Sequence, residues 1–584
     1  MMMDRAIPID QSKWLRWAWL LLALAVAALR IVGLAQTPLS PAEATRALAA
    51  WDAAEGRGWP AQSDGSLLLV GNTLLFAAFG AGDGVARCLP MLAGIALTLL
   101  PWLWRRRLGD VGAFAAAVVL GCSPLLLAAS RRVEGTTLGL LGAALLATAL
   151  FSAEEPDAAG PSRRMLPALI ITGLAVGLTG GASFFDGLLP LAGAWLLAHW
   201  LLRQPAAFKS SDWLRPALLG VVGALLISLG FGFRLGGWSG PLEGLAAWTS
   251  RWGGARVSGV GMFGLYEPLT LALALLGGAW AIARRERAAL LLAVWGVLAL
   301  LLAVVRPALP ATGWGSVVLP FALLAGHGIQ RMADTLEAPV VHWVLLHIGV
   351  SVLFWLPAGL AMAGHAARVA LISDTAGSVS QWVLLLGVIV LVSLHGLIAL
   401  LFFYIMPTKF IWRGAVLGFA GALLLIQLSF ACGLSHGRPT SPAEPAAAAS
   451  TSPDVWALRR SVDEIAVLHG RRQDTMTVAL VGMDADLSAV LRWALREVGR
   501  VSVMAEWPDA SPDVVITPLD FVAPTSPAQG WAGMAFVVRL RAITSAPRCV
   551  SLIPPDCANF AQWYLFRTAP DMGASDRVVL WKSD

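Results

Sequence analysis

Apolar residues fill most of this chain in long blocks that short polar breaks separate. The blocks follow one another from about Leu15 to about residue 433, and the breaks carry charged residues or Gly and Pro. A helix needs roughly 20 apolar residues to cross roughly 30 Å of hydrocarbon, so the pattern predicts about 13 membrane spans. They lie near residues 15–35, 86–104, 110–129, 136–152, 165–182, 185–203, 215–235, 266–283, 288–305, 315–333, 340–364, 380–405 and 413–433.

The segment between the first two predicted spans breaks this pattern. Its first part, residues 36–64, is polar and contains the sequence SPAEATRALAAWDAAEGRGWPAQSD. Its second part, residues 66–82, is apolar but short, and it contains Gly71 and Asn72. We interpret the second part as an interfacial or re-entrant helix rather than as a span.

With that interpretation, the basic residues of the membrane region fall mostly on one side. They are Lys13, Arg16, the arginines of 105–107, Arg163, Arg164, Arg203, Lys209, Arg284, Arg285, Arg287, Arg331, Lys409 and Arg413. By the positive-inside rule this side is the cytoplasm. The N-terminus is therefore expected in the cytoplasm, and residues 36–64 and the C-terminus are expected outside it.

The composition excludes a soluble globular protein. Hydrophobic residues make up 57% and charged residues 13% of the 584 residues, and the mean hydropathy is +0.71. The formal net charge of +6 reflects mainly the basic breaks, so nucleic acid is not expected as a partner. We expect a multi-pass protein of the cell (plasma) membrane, surrounded by membrane lipids.

The composition changes after the last predicted span. Residues 437–454 are rich in Pro, Ala and Ser, and they are predicted to link a membrane domain, residues 1–436, to a soluble domain, residues 455–584. Short β-branched runs and one amphipathic stretch predict a small extracytoplasmic α/β domain without a nucleotide-binding loop. The predicted strands are 476–481, 501–504, 514–517, 535–540 and 578–581, and the predicted helix is 486–498.

Cysteine and histidine residues indicate little chemistry. Cys549 and Cys557 flank a Pro-Pro turn in the soluble domain, and the sequence is equally compatible with a disulfide and with two thiols. His327, His347 and His395 are isolated within predicted spans and lack the spacing of metal ligands. No metal site is therefore predicted.

Three consecutive stretches carry a resemblance to a known family. They read SPAEATRALAAWDAAEG, SLLLVGNTLLFAAFGAGDGVARCLPMLAG and RRRLGDVGAFAAAVVLGCSPLLLAASRR, and a soluble domain follows the spans. In this order they resemble the GT-C glycosyltransferases, which include the protein O-mannosyltransferases and the aminoarabinose transferases. The most specific positions are Phe79 and Gly80 at a helix end and Ala86, Arg87, Leu89 and Pro90 at the next span.

The resemblance implies an α-helical polytopic fold of about 13 transmembrane helices and an interfacial helix. In the outer domain of this family a Trp-x-Leu-Arg element recurs, and Trp493, Leu495 and Arg496 match it. The resemblance also implies transfer of a sugar from a polyprenyl-phosphate donor to a protein or glycan acceptor. Such transfer serves protein glycosylation or the modification of cell-envelope glycans. Such a transfer needs a carboxylate to deprotonate the acceptor and cationic groups to hold the phosphate. A divalent cation is a possible cofactor.

The sequence departs from the family's pattern at three sites. The family usually has an Asp-Glu pair in the first outer loop, and this chain has Ala42-Glu43. A His-x-Pro element that precedes the interfacial helix is absent here, where Asp64 begins the corresponding triplet. After Arg131, Glu134 and a later threonine occupy the family's Arg and Asp positions.

Six residues form the candidate site on these grounds. The candidate catalytic residues are Glu43 and Glu134, and the candidate substrate-binding residues are Asp64, Arg131, Arg132 and Arg306.

Two of these assignments leave an alternative open. Glu43 reaches about one methylene further than an Asp and can act as the base, or it closes a Ser-x-x-Glu capping box at a helix start. Arg131 and Arg132 can hold a phosphate, or they lie at the interface and pair locally with Glu134. Further carboxylates that can line a cavity are Asp186, Glu243 and Glu267.

We expect a GT-C-like membrane glycosyltransferase with a lipid-linked sugar as donor. The alternative is a catalytically inactive protein of the same fold that serves as a lipid-binding or assembly subunit, and the three departures favour it. A transporter explains the sequence less well, because no inverted repeat or pair of broken helices is evident.

Overall fold

The structure is a computed structural model of the chain. It describes residues 11–61, 63, 65–153, 161–202, 210–253, 260–306, 309–334, 345–355, 377–404, 408–441, 444, 446, 449–508, 512–521, 531–541 and 575–583. Cys549 and Cys557 lie outside these residues.

Most of the residues that the structure describes before residue 433 lie in helices. They are α1 (Gln11–Ile31), α2 (Pro41–Ala54), α3 (Ser66–Phe79), α4 (Asp83–Ala86), α5 (Cys88–Leu99), α6 (Arg105–Leu108), α7 (Asp110–Gly121), α8 (Pro124–Ser130), α9 (Thr136–Ala153), α10 (Pro161–Gly180), α11 (Ser183–Leu202), α12 (Ser210–Ser228), α13 (Gly240–Ser250), α14 (Val260–Tyr266), α15 (Pro268–Arg284), α16 (Arg287–Val305), α17 (Gly315–Asp334), α18 (Leu345–Trp355), α19 (Gly377–Phe403) and α20 (Thr408–Cys432). Every predicted span contains one of these helices, except that 110–129 contains two. Of the predicted span 340–364 the structure describes α18 alone.

Five described helical stretches are long and apolar enough to cross a membrane. They are Cys88–Leu108, Thr136–Ala153, Arg287–Val305, Ala311–Asp334 and Arg413–Gly437. The pair α7 and α8, bent by 65°, makes a sixth when it is counted as one span. Shorter apolar helices, such as Pro268–Arg284, occupy other predicted spans. The predicted polytopic helical fold is confirmed.

Helices α9 and α10 touch backbone to backbone. A Cβ added to Gly142 in α9 would lie 2.4 Å from Cα and 2.5 Å from N of Gly177 in α10. A Cβ added to Gly173, one turn earlier in α10, would lie 3.2 Å from the carbonyl oxygen of Gly142. Lipid offers no hydrophobic driving force between helices, so close packing of small residues supplies the attraction here.

Three short helices, α2, α3 and α13, lie at the end of the bundle that carries the C-terminal domain, which we call the domain end. Pro41 starts α2 at a position where no N–H is needed. α3 occupies the predicted interfacial segment and stops at Gly80, whose φ of 80° suits glycine. With 14 residues at 1.5 Å each, α3 is about 21 Å long and too short for a span.

A six-stranded mixed sheet forms the C-terminal domain. Its strands are β1 (Ala449–Thr451), β2 (Thr477–Val481), β3 (Arg500–Met504), β4 (Val514–Pro518), β5 (Trp531–Arg541) and β6 (Ser575–Ser583), in the spatial order β1-β5-β6-β4-β2-β3. β2 runs parallel to β3 and β4, and the other neighbours are antiparallel. Two helices, α21 (Asp454–Leu468) and α22 (Ala485–Ala494), accompany the sheet.

The predicted α/β domain is confirmed in its strands and in its amphipathic helix, which is α22. Sequence analysis did not predict β1 or α21. β1 lies within residues 437–454, which the sequence assigns to the linker, and it pairs with β5. The division of the chain at residues 436 and 454 therefore stays a prediction.

The described residues form two large hydrophobic cores. One lies inside the helical bundle and includes Trp295 and Trp314. The other begins on α2 and α3, with Ala47 and Phe76, and continues without interruption into the C-terminal domain through Trp493. The two short helices are therefore shared between the bundle and the domain.

We predict that Gly142→Ala destabilises the bundle, because the added methyl group would meet the backbone of α10, which cannot move aside. Overpacking of this kind costs roughly 1–3 kcal/mol. Thermal unfolding of the purified protein in detergent measures the effect. The control is Gly396→Ala in α19, where an added Cβ meets nothing within 4 Å. Equal unfolding temperatures for the two variants would contradict the prediction.

Candidate functional site

Glu43 lies in the first turn of α2 and forms a buried ion pair with Arg87. Its Oε1 accepts hydrogen bonds from Arg87 Nε at 3.0 Å and from Val133 N at 2.9 Å. Its Oε2 accepts bonds from Ser40 N at 2.9 Å and from Arg87 Nη2 at 3.2 Å. The side chains of Arg87 and Glu43 are 4% and 6% exposed. The carboxylate is therefore surrounded by protein donors and shielded from water.

Arg87 also holds the chain between α1 and α2. Its Nη1 donates to the carbonyl oxygens of Leu34 and Thr37 at 2.9 and 2.8 Å, and its Nη2 donates to Pro38 O at 3.3 Å. Arg87, which ends the sequence FGAGDGVAR, therefore connects this loop and the start of α2 to the start of α5.

The surroundings of Glu43 oppose a role as general base. Burial raises the pKa of its carboxyl group, but the charge of Arg87 and the hydrogen bonds from Arg87, Ser40 and Val133 outweigh burial and lower the pKa to about 2. A general base works best with a pKa near the working pH. The capping-box interpretation, in which Ser40 N–H donates to Glu43, fits this arrangement better.

Arg131 and Arg132 follow the last residue of α8 and bind backbone oxygens. Nη1 of Arg131 donates to three carbonyl oxygens at the end of α1, at distances of 2.8–3.1 Å. The last carbonyls of a helix lack partners within the helix, so Arg131 caps α1. Nη2 of Arg132 donates to Ala446 O at 2.9 Å.

Three of the six candidate residues come together. Glu43, Arg131 and Arg132 line a pocket of about 50 Å³ that residues 434–440 and 450–451 help to close. This volume suits a few water molecules and is far below that of a site for a sugar.

Two of the other three candidates, Glu134 and Arg306, do not line this pocket. Oε1 of Glu134 is buried and has no hydrogen-bond partner among the described residues. Arg306 forms a buried ion pair with Asp186, which also accepts a hydrogen bond from Trp248 Nε1 at 2.8 Å. In the described part of the chain, Nε and Nη2 of Arg306 have no partner. Asp64 lies outside the described residues.

Glu267 is buried between helices. Its carboxylate accepts hydrogen bonds from the hydroxyl groups of Ser123 and Thr270 and, at 3.1 Å, from Gln427 Nε2. It joins α8, α15 and α20 and does not line the cavity described below. Across the described ranges, no three His, Cys, Asp or Glu side chains come together as metal ligands do.

A larger cavity of about 890 Å³ opens at the domain end between α2, the chain that leads into α3, and α13. Its walls are formed by Ala42, Thr45, Arg46, Ala49, Pro60, Ala61, Ser63, Gly65, Leu68, Leu69, Ser239, Leu242, Glu243, Ala246, Ala247, Ser250 and Arg251. Leucine and alanine side chains from α2, α3 and α13 supply apolar surface, while two arginines, one glutamate and several hydroxyl groups supply polarity. Small-molecule sites typically combine such an apolar wall with a few convergent polar groups.

The two residues of the Ala42-Glu43 pair face different surroundings, about 100° apart around α2. Ala42 lines the cavity together with Thr45, Arg46 and Ala49, which follow it at helical spacing. Glu43 faces Arg87 instead. The position at which the resemblance implies an aspartate therefore opens onto the cavity and carries only a methyl group.

Glu243 supplies the carboxylate among the described residues that line the cavity. It lies in the first turn of α13. Its Oε2 accepts hydrogen bonds from Ser63 Oγ at 2.7 Å and Ser63 N at 3.2 Å, and its Oε1 accepts bonds from Arg234 Nη2 and Ser239 Oγ, each at 3.3 Å. These bonds fix the carboxylate at the cavity wall.

Arg46 connects the cavity to the segment that follows α8. Its Nη1 donates to Val133 O at 3.2 Å, and Glu134 is the next residue. Sequence analysis named Glu243 without selecting it, and it missed Arg46, Ser63 and Arg234. The available signal for Glu243 was a helix start, Ser-Gly-Pro-Leu-Glu, inside a predicted outer loop.

No family model matches the sequence, and no curated protein matches it. Among solved structures, ArnT from Cupriavidus metallidurans bound to undecaprenyl phosphate aligns with a TM-score of 0.54 and 17% identity over 86% of this chain and 93% of that chain. ArnT in the apo state aligns with a TM-score of 0.53 and 17% identity over 87% and 94%. The apo oligosaccharyltransferase of Archaeoglobus fulgidus gives a TM-score of 0.49 and 11% identity over 84% and 64%.

The likeness to ArnT covers most of both chains, and it confirms the predicted GT-C-like fold with a C-terminal sheet domain. At 17% identity it establishes the fold alone. The chemistry of this chain is therefore argued from its own residues.

We predict that Glu43→Gln lowers the stability of the protein, because it leaves buried Arg87 without its counter-charge. Removing one partner of a buried ion pair costs roughly 3–5 kcal/mol. Thermal unfolding in detergent measures the loss. The matched control is Glu55→Gln at the exposed end of the same helix. Stability equal to that of the control would contradict a structural role for the pair.

The Glu43–Arg87 pair also predicts how stability depends on pH. The pKa of the Glu43 carboxyl group is about 2 in the folded protein and near 4.5 in the unfolded chain. The pair therefore contributes its full stabilisation of the folded state above about pH 5. This stabilisation is lost as the pH falls from there towards 2. The difference in unfolding temperature between wild type and Glu43→Gln should therefore shrink steadily below pH 4.5. A constant difference down to pH 3 would argue against this assignment.

Proposed function

We propose that this protein is a membrane glycosyltransferase that moves a sugar from a polyprenyl-phosphate donor to a protein or glycan acceptor. The observation that carries the proposal is the cavity of about 890 Å³ at the domain end, with Arg46, Arg251 and Glu243 on its walls. The GT-C-like fold supports the reaction class, since ArnT was solved with undecaprenyl phosphate bound.

The walls of the cavity suit an amphipathic lipid phosphate. Leu68, Leu69 and Leu242 offer apolar surface to a prenyl chain, and Arg46 and Arg251 offer guanidinium groups to the phosphate. Charge on the leaving phosphate grows during transfer, and fixed cations stabilise it in a site that excludes water. Arg306 is proposed as a supporting cation behind α13, where its guanidinium carbon lies 5.5 Å from the centroid of the Trp248 ring and its charge is paired with Asp186.

Two carboxylates are proposed for deprotonating the acceptor hydroxyl group. Glu243 also forms an ion pair with a buried arginine, Arg234, but unlike Glu43 it lines the cavity, and it accepts a hydrogen bond from Ser63 Oγ, which is positioned to pass a proton to it. Glu134 follows Val133, whose carbonyl oxygen accepts a hydrogen bond from the cavity residue Arg46, and its buried Oε1 has no donor in the described part of the chain. We assign Glu43, Arg131 and Arg132 to holding the loop and helices around the site. Asp64 remains a proposed contact of the substrate.

The positive-inside pattern supports a cell-membrane protein with a cytoplasmic N-terminus, and with the cavity and C-terminal domain outside the cytoplasm. A lipid-linked donor and an extracytoplasmic acceptor would meet at that surface. We also propose three parts of the chain, namely residues 1–436, 437–454 and 455–584.

A second candidate is a catalytically inactive lipid-binding or assembly subunit. One specific arrangement favours it: Ala42 opens onto the cavity where the resemblance implies an aspartate, and neighbouring Glu43 is engaged by Arg87. In that case the cavity binds the lipid phosphate without transferring a sugar.

We predict that Glu243→Gln or Glu134→Gln lowers sugar transfer by about 10²- to 10⁴-fold, the range lost with a general base. Glutamine keeps the size of the side chain but cannot accept the proton. The glutamate whose replacement lowers transfer is therefore the base. The assay uses purified protein, radiolabelled polyprenyl-phosphate sugars and an acceptor extract, with and without divalent cation.

Binding of undecaprenyl phosphate and thermal stability are measured in parallel, with Glu55→Gln as the control. Glu243→Gln leaves buried Arg234 without its counter-charge and is expected to lower stability, so transfer is compared at a temperature at which each variant is folded. Loss of transfer by folded protein with normal lipid binding supports the base assignment. Full transfer by both variants would reject both carboxylates. Binding without transfer by the wild type would instead establish the second candidate.

A further inference from the structure

Helix α22 of the C-terminal domain contacts α3, the first residue of α4 and the loop between them. The indole Nε1–H of Trp493 donates to Asp83 Oδ1 at 2.7 Å. The ring of Trp493 also packs against the ring of Phe76 in α3, with centroids 5.8 Å apart. One side chain of the domain therefore contacts both the last turn of α3 and the start of α4.

Arg496 adds a second contact, to the loop between α3 and α4. Its Nη2 and Nε donate to Ala81 O at 2.9 and 3.2 Å. Its guanidinium group stacks on the Trp493 ring, 4.4 Å from the centroid. A third contact lies on α2, where Arg492 is 3.8 Å from Asp52.

The helices held by α22 are the helices that form the cavity. α2 presents Ala42 and Arg46 to the cavity, while Ala47 packs in the core that it shares with the C-terminal domain. Similarly, α3 contributes Leu69 to the cavity wall and Phe76 to the contact with Trp493. α2 and α3 thus form a thin layer with the ligand cavity on one side and the domain on the other.

We propose that docking of the C-terminal domain and binding of a ligand in the cavity are energetically coupled through α2 and α3, with Trp493 and Arg496 as positioning residues. Removing the contacts of Trp493 and Arg496 makes α2 and α3 more mobile. Arg46 and the apolar side chains that line the cavity are then held less firmly, and ligand affinity falls. Coupling is reciprocal, so a ligand in the cavity must also tighten the docking of α22. The identity of the ligand as a lipid phosphate rests on the proposed function.

The test uses full-length protein in detergent with undecaprenyl phosphate as the probe. Trp493→Phe removes the indole donor and keeps an aromatic ring, and Asp83→Ala removes the acceptor from the membrane side. Arg500→Ala, on the exposed edge strand β3 of the same domain, is the control. Asp83→Asn keeps a carbonyl oxygen for the indole and should restore wild-type behaviour.

Hydrogen exchange and lipid binding are the two measurements. In ligand-free protein, Trp493→Phe and Asp83→Ala should each speed exchange in α2 and α3, and the double variant should add little because both remove one bond. Each should weaken undecaprenyl phosphate binding by roughly 5-fold or more, the lower end of known couplings. Adding the lipid to wild type should slow exchange in α22.

The outcomes separate this inference from the proposed function. Unchanged exchange in α2 and α3 overturns the coupling, whether or not lipid binds. Faster exchange in α2 and α3 with unchanged lipid affinity also overturns the coupling, because the contact between Trp493 and Asp83 then has only a structural role. Absence of lipid binding by the wild type contradicts the proposed function, while the ligand-free exchange of α2 and α3 still tests that contact.

Discussion

The buried ion pair between Glu43 and Arg87 is the contact on which the domain end of this molecule depends. Two charges removed from water are tolerable only when every remaining donor and acceptor is satisfied. Here Arg87 reaches three further backbone carbonyls and Glu43 reaches two backbone amides. The pair therefore fixes the position of α2 relative to α1, α5 and the residues after α8. The cavity inherits its shape from that position, because α2 forms one of its walls.

The same pair explains why the sequence predicts the fold correctly but suggests a role for Glu43 that the structure does not favour. The spans follow from hydrophobic length alone, and the outer domain follows from its strand-like runs. The chemistry depends on which side of α2 each residue faces. In this structure Ala42 lines the cavity, whereas the side chain of Glu43 is directed to Arg87. Arg87 as the partner of Glu43 lies 44 residues away, and no local pattern encodes that contact.

Other elements escaped prediction for related reasons. Glu243 becomes a cavity residue only because α13 packs against α3 and lines the same cavity as α2, which depends on the path of the spans between them. β1 has three residues in a segment of Pro, Ala and Ser, and its strand character comes from pairing with β5. Local composition predicts a strand poorly when long-range pairing creates it. Arg131 was expected to meet a phosphate, yet it meets the carbonyl oxygens that the end of α1 leaves unpaired.

The contact between Trp493 and Asp83 has a consequence for the order in which the protein is assembled. The two residues are 410 positions apart, whereas Glu43 and Arg87 are close in the chain. At a synthesis rate of roughly 5–20 residues per second, α2 can be fixed by Arg87 roughly 20–80 seconds before α22 exists. During that interval the apolar face of α2 and α3 has no domain to cover it. Nascent chains must therefore shelter this face, in the lipid surface or with a chaperone, until the last quarter of the protein has been delivered to the same side of the membrane.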